Sequence, residues 1–232
     1  MARGWLTATV VMFWGAMILS AMQKISGVEI DHVILGINNL ERGIQEFESR
    51  TGVTPKRGGE HPGRGTQNAL VTLGNGRYLE ILAPASSQRP TASREPWVDH
   101  ADLTPVGWAL HTRAIGSVVA QLRAAGFTIQ DPTAGSRRTP DGALLQWQSA
   151  GVSEPGLELV PFFIEWSKDT THPSTSSPSG CTLVSMELTH PAPARLQSFF
   201  KAVEFPATIA KGERAGMKLT LDCPRGRVTF GS

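Results

Sequence analysis

The chain is poor in the residues that would assign it to several common protein classes. Cysteine occurs only twice in 232 residues, at Cys181 and Cys223. Neither belongs to a Cys-x-x-Cys or zinc-knuckle pattern, so a disulfide framework and a thiolate metal site are both excluded as organising features. Spacing alone does not decide whether the two cysteines pair. We expect buried free thiols, with a disulfide as the alternative if the protein is exported.

Blocks of like charge are also absent. The chain has 22 Lys and Arg residues against 20 Asp and Glu residues, a net charge of +2, and these residues are scattered. Binding to nucleic acid normally requires a basic patch or stripe that neutralises phosphates. Nucleic acid is therefore not an expected partner, and the length is sufficient for one large domain or two small ones with a real core.

Strongly polar residues are nearly absent between Trp5 and Met22, a run preceded by Arg3. Such a run is at the lower limit for spanning ~30 Å of hydrocarbon, whereas the apolar region of a signal peptide is usually shorter. We predict that residues 1–27 form a signal or membrane anchor, with attachment through residues 5–22. The alternative is a disordered extension or a mistaken start. The protein is exported or membrane-anchored in the first case and cytoplasmic in the second.

From residue 28 the hydrophobic pattern alternates between strand and helix periods. A β-rich segment at 30–37 precedes apolar residues at helical spacing from Leu40 to Phe47. A glycine-rich loop at 58–65 follows, and then two strands around Asn75-Gly76, a dipeptide that favours tight hairpins. The first unit therefore reads β-α-loop-β-β.

The same order recurs after a polar stretch at 83–105. We predict strands at 107–112, 127–130, 143–147 and 157–166, with a helix at 115–125. After a linker at 167–180, residues 181–232 read as a partial third β-α-β-β module. Because the repeat makes each unit a block that hides its apolar face against a neighbour, the units at 28–166 are expected to pair.

Four segments resemble the glyoxalase-like domains of the vicinal oxygen chelate superfamily, which includes glyoxalases, extradiol dioxygenases and resistance proteins. They are Asp31 to Leu40, Gly59 to Leu70, Tyr78 to Pro84 and Pro161 to Trp166. The resemblance covers about 28–166 well and the C-terminal unit loosely. It implies an α+β fold in which tandem β-α-β-β-β modules form a cupped mixed sheet around a pocket. Since one fold hosts many chemistries, it does not imply a particular reaction.

The resemblance also implies metal ligands on the first and last strands of each module. In the first module these positions match His32 and Glu80, and in the second Glu165 matches Glu80, whereas Gly107 stands where a second histidine is expected. His32, Glu80 and Glu165 would suit a divalent ion such as Mn, Fe(II), Mg or Zn. The alternatives are a solvent-exposed Glu80, a Glu165 that pairs with an arginine, and a pocket without metal.

Other polar and aromatic residues are candidates for contact with a substrate. His61 is either a general base or a loop cap, and Asn68 hydrogen-bonds either a ligand or a turn. The guanidinium of Arg64 has the shape to bind a carboxylate, although arginines of this kind are commonly solvated. Trp108 either lines the pocket or lies in the core. The linker histidines His100, His172 and His190 are expected at the surface.

Two functions of different classes follow from these residues. One is a metal-dependent enzyme that acts on a small oxygen-bearing substrate, with a lyase, isomerase or dioxygenase outcome. The other is a metal-free protein that binds a small molecule, as resistance-type relatives do. Pairing into a homodimer is a further expectation from the resemblance.

Overall fold

A computed structural model of the protein describes residues 27–85 and 96–231, and its strands form two sheets, one of eight strands and one of four. In these two ranges no helix has the length and apolar character needed to cross a membrane. The apolar run at 5–22, on which the predicted signal or anchor depends, lies outside the described residues.

The first half of the large sheet confirms the predicted strand, helix and hairpin. Asn39 caps the helix by accepting a hydrogen bond from the backbone N–H of Arg42, and Asn75 and Gly76 both take positive φ in the hairpin turn. The elements are β1 (Glu29–Gly36), α1 (Leu40–Thr51), β2 (Lys56–His61), β3 (Thr66–Gly74) and β4 (Arg77–Pro84).

The second half has the same order, after a short 3-10 helix at Pro96–Asp99. Its elements are β5 (Thr104–His111), α2 (Ile115–Ala124), β6 (Thr133–Arg138), β7 (Leu144–Ala150) and β8 (Phe162–Trp166).

Two local predictions are wrong, both at the edges of the sheet. Residues 58–65 are not all loop, because β2 runs through Gly58 and Gly59 to His61. The strand predicted at 127–130 is reduced to a single bridge between Ile129 and Val152, and the edge position belongs to β6 instead. Small and polar residues fill β2 and β6, so neither shows the apolar alternation that marks a half-buried strand.

The eight strands are ordered β2-β3-β4-β1-β5-β8-β7-β6. β1 is parallel to β4, β5 is parallel to β8, and the halves join through the antiparallel pair β1 and β5. The two edges approach each other where Arg137 on β6 donates a hydrogen bond to the carbonyl of Gly58 on β2. This mixed α+β architecture, with a large, curved and nearly closed sheet, confirms the predicted fold class.

The C-terminal unit has the predicted kind of elements but a different strand pairing. Its elements are α3 (Pro173–Ser176), β9 (Thr182–His190), α4 (Pro193–Ala202), β10 (Ile209–Lys211), β11 (Gly216–Cys223) and β12 (Gly226–Phe230). The order is β10-β9-β11-β12, so the first strand is parallel to the strand that follows its helix. In the large sheet the first strand is parallel to the last strand of its half. The unit is therefore not a third copy of the module.

Aromatic contacts join the C-terminal unit to the large sheet. The rings of Phe47 and Phe230 stack with centroids 5.7 Å apart, and Trp108 lies 5.7 Å from Phe200 and 5.5 Å from Phe205. These residues belong to one continuous hydrophobic core. Each such ring buries a large apolar area, so the unit stabilises the outer side of the sheet.

Cys181 and Cys223 form a disulfide, and the expectation of free thiols is wrong. The pairing of Thr182 with Asp222 in β9 and β11 makes the two cysteines cross-strand neighbours. Sequence spacing does not reveal this arrangement, because α4 and β10 lie between the two strands in the chain.

The disulfide closes a loop between residues 42 positions apart. We expect reduction to lower the free energy of unfolding by about 2–4 kcal/mol, mainly because the unfolded chain regains freedom. Thermal unfolding with and without a thiol reductant measures the change. A Cys181→Ser/Cys223→Ser variant is the control, because its melting temperature should be low and insensitive to the reductant. Equal melting of the wild-type protein in both buffers would contradict the prediction.

Candidate functional site

A cleft of about 610 Å³ lies on the concave face of the large sheet. This volume is in the range of pockets that hold small organic ligands. The two halves of the sheet contribute unlike walls. The first half lines the cleft with polar side chains, and the second half lines it mainly with aromatic and aliphatic ones. The polar set is His32, His61, Asn68, Tyr78 and Glu80, and the apolar set includes Trp147, Phe162, Ile164 and Trp166.

A buried carboxylate, Asp31, orients His32. The β1 strand has a register shift between Ile30 and His32, and such irregularities redirect side chains. Asp31 is 1% exposed and accepts a 2.6 Å hydrogen bond from Nδ1 of His32. Because an ionised carboxylate only accepts, Nδ1 of His32 carries a proton, and Nε2 stands 3.6 Å from Oε2 of Glu80.

Asp31 also accepts hydrogen bonds from Nε1 of Trp166 at 3.0 Å and from Nε2 of His172 at 3.1 Å. Burial raises its pKa, but the hydrogen bonds from His172 and His32 and their charges outweigh burial and hold the pKa well below its usual range. Nδ1 of His111 lies 3.6 Å from Oδ2 of Asp31 and is buried, with no hydrogen-bond partner among the described residues.

The expectation that the linker histidines are at the surface is wrong for all three. His100 is partly buried and its Nδ1 is inaccessible to solvent. His172 is partly buried because it reaches Asp31 from the linker, and His190 is 2% exposed, with its Nε2 3.1 Å from Glu158. Each was placed at the surface because its sequence neighbours are typical of turns, which carry no information on contacts distant in sequence.

Glu80 is held in the cleft by Asn68. The Asn68 amide nitrogen donates to Oε1 of Glu80 at 2.7 Å and lies 3.3 Å from Nε2 of His61. Burial raises the pKa of Glu80, but the attraction of His61 and His32 in their protonated forms and the Asn68 hydrogen bond together outweigh burial, so the net pKa is below its usual value. Glu80 is therefore an ionised carboxylate at neutral pH.

His61 is a neutral imidazole at pH 7, because burial lowers its pKa more than the nearby Glu80 raises it. Its Nδ1 lies 2.9 Å from the Thr66 hydroxyl, and its Nε2 lies 3.7 Å from Oε1 of Glu80. Since the Asn68 amide nitrogen can only donate, Nε2 of His61 is the acceptor. The general-base role of His61 stays a prediction, and its lone pair already faces Asn68.

The other two residues predicted to bind substrate have different positions. Arg64 is exposed and lines the cleft. Trp108 contributes to the wall, but its ring is fully buried against Phe200 and its indole N–H donates to the Leu159 carbonyl at 2.8 Å. The Trp108 ring therefore lies in the hydrophobic core and does not contact a substrate directly, which is the second of the two alternatives considered from the sequence.

Glu165 does not join His32 and Glu80. Its neighbours Ile164 and Trp166 line the cleft, so alternation along β8 directs Glu165 to the opposite face. There it accepts a 2.8 Å hydrogen bond from the backbone N–H of Ile115 and caps α2, whose Ala114 offers no side-chain cap. The predicted metal ligand is therefore a helix cap.

Strand register explains this error. Glu80 on β4 pairs with Ile34 on β1, and the matching pair in the second half is Phe162 with Ala109. The position equivalent to Glu80 is thus Phe162, three residues before Glu165. An offset of an odd number of residues in a strand reverses the face to which a side chain points.

The side chains present do not fit the divalent ion that the resemblance implies. His32 and Glu80 approach from the first half, but the second half offers Gly107, Phe162 and Ile164 across the cleft. Across residues 27–85 and 96–231, no group of three or more His, Cys, Asp or Glu side chains is arranged to hold a metal ion. No chemical step below is derived through a metal.

Sequence reasoning missed Tyr78, Trp166 and Arg137 as residues of the cleft. Tyr78 stacks on His32 with ring centroids 4.6 Å apart, and burial raises its pKa well above the usual value. Arg137 lies in the unpredicted strand β6. The period-2 pattern of β4 and β8 would have placed Tyr78 beside Glu80 and Trp166 beside Ile164 on the cleft face.

A family model described as "Glyoxalase-like domain" matches residues 30–204. The chain belongs to the glyoxalase-like domain family. The match includes both halves of the large sheet and extends into α4 and the residues after it, so this glyoxalase-like domain protein contains the whole cleft within the family region. No curated protein matches the chain.

Three solved structures of low sequence identity are similar to this chain to different degrees. A hypothetical protein from Staphylococcus aureus is 18% identical, with 88% of this chain and 85% of that chain covered and a TM-score of 0.63. Methylmalonyl-CoA epimerase from Mycobacterium tuberculosis is 16% identical over 60% of this chain and 87% of its own, with a TM-score of 0.43. A methylmalonyl-CoA epimerase in complex with methylmalonyl-CoA and NH4+ is 15% identical over 62% of this chain and 98% of its own, with a TM-score of 0.44. The first of these shares the fold of this chain over most of both chains.

We expect Asp31→Asn to lower the free energy of unfolding at pH 7 by about 2–4 kcal/mol, since it removes an ionised acceptor from buried donors. Because the folded-state pKa of Asp31 is depressed, its stabilisation is complete above the usual aspartate pKa of about 3.9 and is lost as pH falls below it. The stability difference from wild type should therefore be constant above about pH 5 and shrink as the pH falls from about 5 towards 2 in urea unfolding. Asp102→Asn, at an exposed position, is the control. A difference independent of pH would contradict this explanation.

Proposed function

We propose that this glyoxalase-like domain protein binds a small oxygen-bearing organic molecule in the cleft and catalyses a proton transfer on it, of the isomerase or lyase type. One observation carries the proposal. An ionised, buried carboxylate, Glu80, lies between two imidazoles, 3.6 Å from His32 and 3.7 Å from His61, on the polar wall of a cleft of ligand size. Buried titratable groups with shifted pKa values in a cleft are typical of catalytic sites.

We assign proton abstraction to Nε2 of His32. Asp31 accepts the Nδ1 proton, so it holds the ring in the tautomer that leaves Nε2 free and stabilises the imidazolium that forms. The negative charge of Glu80 lies on the other side of the ring and stabilises the same imidazolium. His32 then returns the proton to the substrate, and its Nε2 is neutral again for the next turnover.

Asn68 and His61 support this step without contact with the transferred proton. The Asn68 amide fixes Oε1 of Glu80, which leaves Oε2 towards His32. His61 accepts from Asn68 and is anchored by Thr66, so it positions the amide. The polar wall is thus a connected hydrogen-bond network that orients its catalytic groups before a ligand binds.

Metal-free binding without chemistry is the second candidate function. The observation in its favour is the wall formed by the second half, where Trp147, Phe162 and Ile164 offer aromatic and aliphatic surface and no proton carrier. A protein that sequesters a small molecule needs this wall, but it does not need an ionised Glu80 beside His32.

Solvent exchange separates the two functions. We expect the wild-type protein in D₂O to exchange the acidic C–H of at least one compound in a panel of small 2-oxo acids, hydroxyketones and acyl thioesters, followed by proton NMR. His32→Asn and Glu80→Gln should each lower the exchange rate by about 100-fold or more, since positioned acid–base groups contribute on that order.

Glu165→Gln is the matched control for that experiment, because this carboxylate caps α2 and faces away from the cleft. Its exchange rate should equal that of the wild type, with thermal unfolding confirming that all variants are folded. Saturable ligand binding by the wild type with no exchange in any member of the panel would reject the catalytic proposal and leave the binding function.

The divalent ion expected from the resemblance is tested separately. A titration of the wild-type protein with Mn²⁺, Zn²⁺, Mg²⁺ or Fe²⁺ should show no saturable binding that depends on His32 and Glu80, because the facing wall supplies no ligand. Exchange activity should survive prior treatment with a chelator. Stoichiometric binding that His32→Asn abolishes, together with chelator-sensitive exchange, would instead support a metal-dependent enzyme.

A further inference from the structure

We infer that the ligand of this cleft carries a carboxylate group, and that Arg137 is the residue that binds it. The inference deepens the proposed function and rests on it only in taking the cleft as the ligand site. It concerns the recognition of the substrate, whereas the proton transfer was assigned to residues of the first half.

Arg137 is a buried cation that the proton-transfer network does not use. It is 4% exposed, lies on the edge strand β6 and lines the cleft. A guanidinium group keeps its charge in a protein even when burial lowers its pKa, as burial does here. Placing such a charge inside a protein is costly unless a partner compensates it.

The protein supplies only part of that compensation. Nη1 of Arg137 donates to the Gly58 carbonyl, and this is its one side-chain hydrogen bond within the described part of the chain. None of the described carboxylates lies within ion-pair distance, although the more distant Glu80 contributes a favourable charge. Nε and Nη2 make no hydrogen bond to the described residues, and Arg137 lines the cleft. The guanidinium therefore has N–H donors left over for a ligand bound there.

A carboxylate is the group that fits these donors. The planar guanidinium presents parallel N–H groups that match the two oxygens of a carboxylate, and this pairing is stronger than a hydrogen bond between neutral groups. Arg64, which is exposed and also lines the cleft, adds positive charge that favours entry of an anion. A phosphate group would normally require several convergent donors, whereas one buried guanidinium faces this cleft.

The rest of the ligand is expected to be apolar or aromatic. Gly135 lies two residues before Arg137 on β6, and the Trp147 ring lies directly over the Gly135 backbone. A side chain at position 135 would prevent this contact, because its Cβ would stand 2.5 Å from the indole ring. Trp147 and Trp166 are 5.5 Å apart and both line the cleft. The carboxylate end would thus lie at Arg137, with the ligand body against these rings.

Matched acids and amides test the inference. We expect wild-type protein to bind phenylacetate and hexanoate at least about tenfold more tightly than phenylacetamide and hexanamide, since a charged hydrogen bond is worth roughly that factor. Isothermal titration gives the dissociation constants, and quenching of Trp147 and Trp166 fluorescence gives an independent value. Arg137→Gln should remove the preference for the acids, and Arg137→Lys should keep part of it.

Three controls isolate the guanidinium. Arg64→Gln should change the preference by less than about threefold, because an exposed charge is screened by solvent and salt. Thermal unfolding of Arg137→Gln and Arg137→Lys shows whether losing the hydrogen bond to Gly58 harms the fold, and Arg137→Lys provides the folded charge-retaining comparison. Glu80→Gln should abolish proton exchange but keep the preference for acids, so failure of catalysis and failure of carboxylate recognition are distinguishable.

Equal affinity of the wild type for acids and amides would overturn the inference, as would the absence of saturable binding for both acids. An unchanged preference for acids in folded Arg137→Gln would also overturn it, because the selectivity would then come from other residues.

Discussion

The antiparallel pairing of β1 with β5 is the constraint on which the rest of the structure depends. It places the first strand of each half at the centre of one sheet, and each half adds its last strand beside its first. Four strands from distant parts of the chain therefore line one concave surface. The register of these pairs decides which side chain of each strand reaches the cleft, and hence that His32 and Glu80 meet there while Glu165 does not.

The two halves share an architecture but have diverged in the residues that face the cleft. The first half keeps charged and polar groups on β1 and β4, and the second half has Gly107 on β5 and Phe162 on β8 at comparable places. A symmetric fold thus carries an asymmetric cleft, with titratable side chains on one wall and mainly aromatic and aliphatic side chains on the other. This division agrees with the general observation that function belongs to sites rather than folds.

Three buried charged side chains of the site differ in the number of hydrogen bonds that they make. Asp31 accepts three hydrogen bonds, and Glu80 accepts one from Asn68 and lies beside two imidazoles. Among the described residues, Arg137 donates a side-chain hydrogen bond only to the Gly58 carbonyl. Desolvation costs several kcal/mol for an isolated ion, so the number of partners is a physical measure of how complete each environment is. By that measure the environments of the two acids are the more complete, and that of the guanidinium is the least complete of the three.

Much of the fold could be predicted from the sequence, because hydrophobic periodicity and the Asn75-Gly76 turn mark β1, α1, β3 and β4 clearly. The site was only partly predictable. His32, Glu80, Asn68 and His61 do converge, whereas Arg137 was missed because polar edge strands such as β6 carry no alternation. The partners of Asp31 were missed because His172 is 141 positions away in sequence, and only the folded chain brings them together.

The segment between the two sheets has a consequence for how the molecule can be divided. His172 donates to Asp31, and the carbonyl of Pro178 accepts a 2.9 Å hydrogen bond from the backbone N–H of Thr72 on β3. A polypeptide cut after Trp166 would keep every strand of the large sheet yet leave Asp31 and Thr72 each without one of their partners. The repeated architecture therefore ends at Trp166, whereas a polypeptide that keeps both of these hydrogen bonds must extend at least to Pro178.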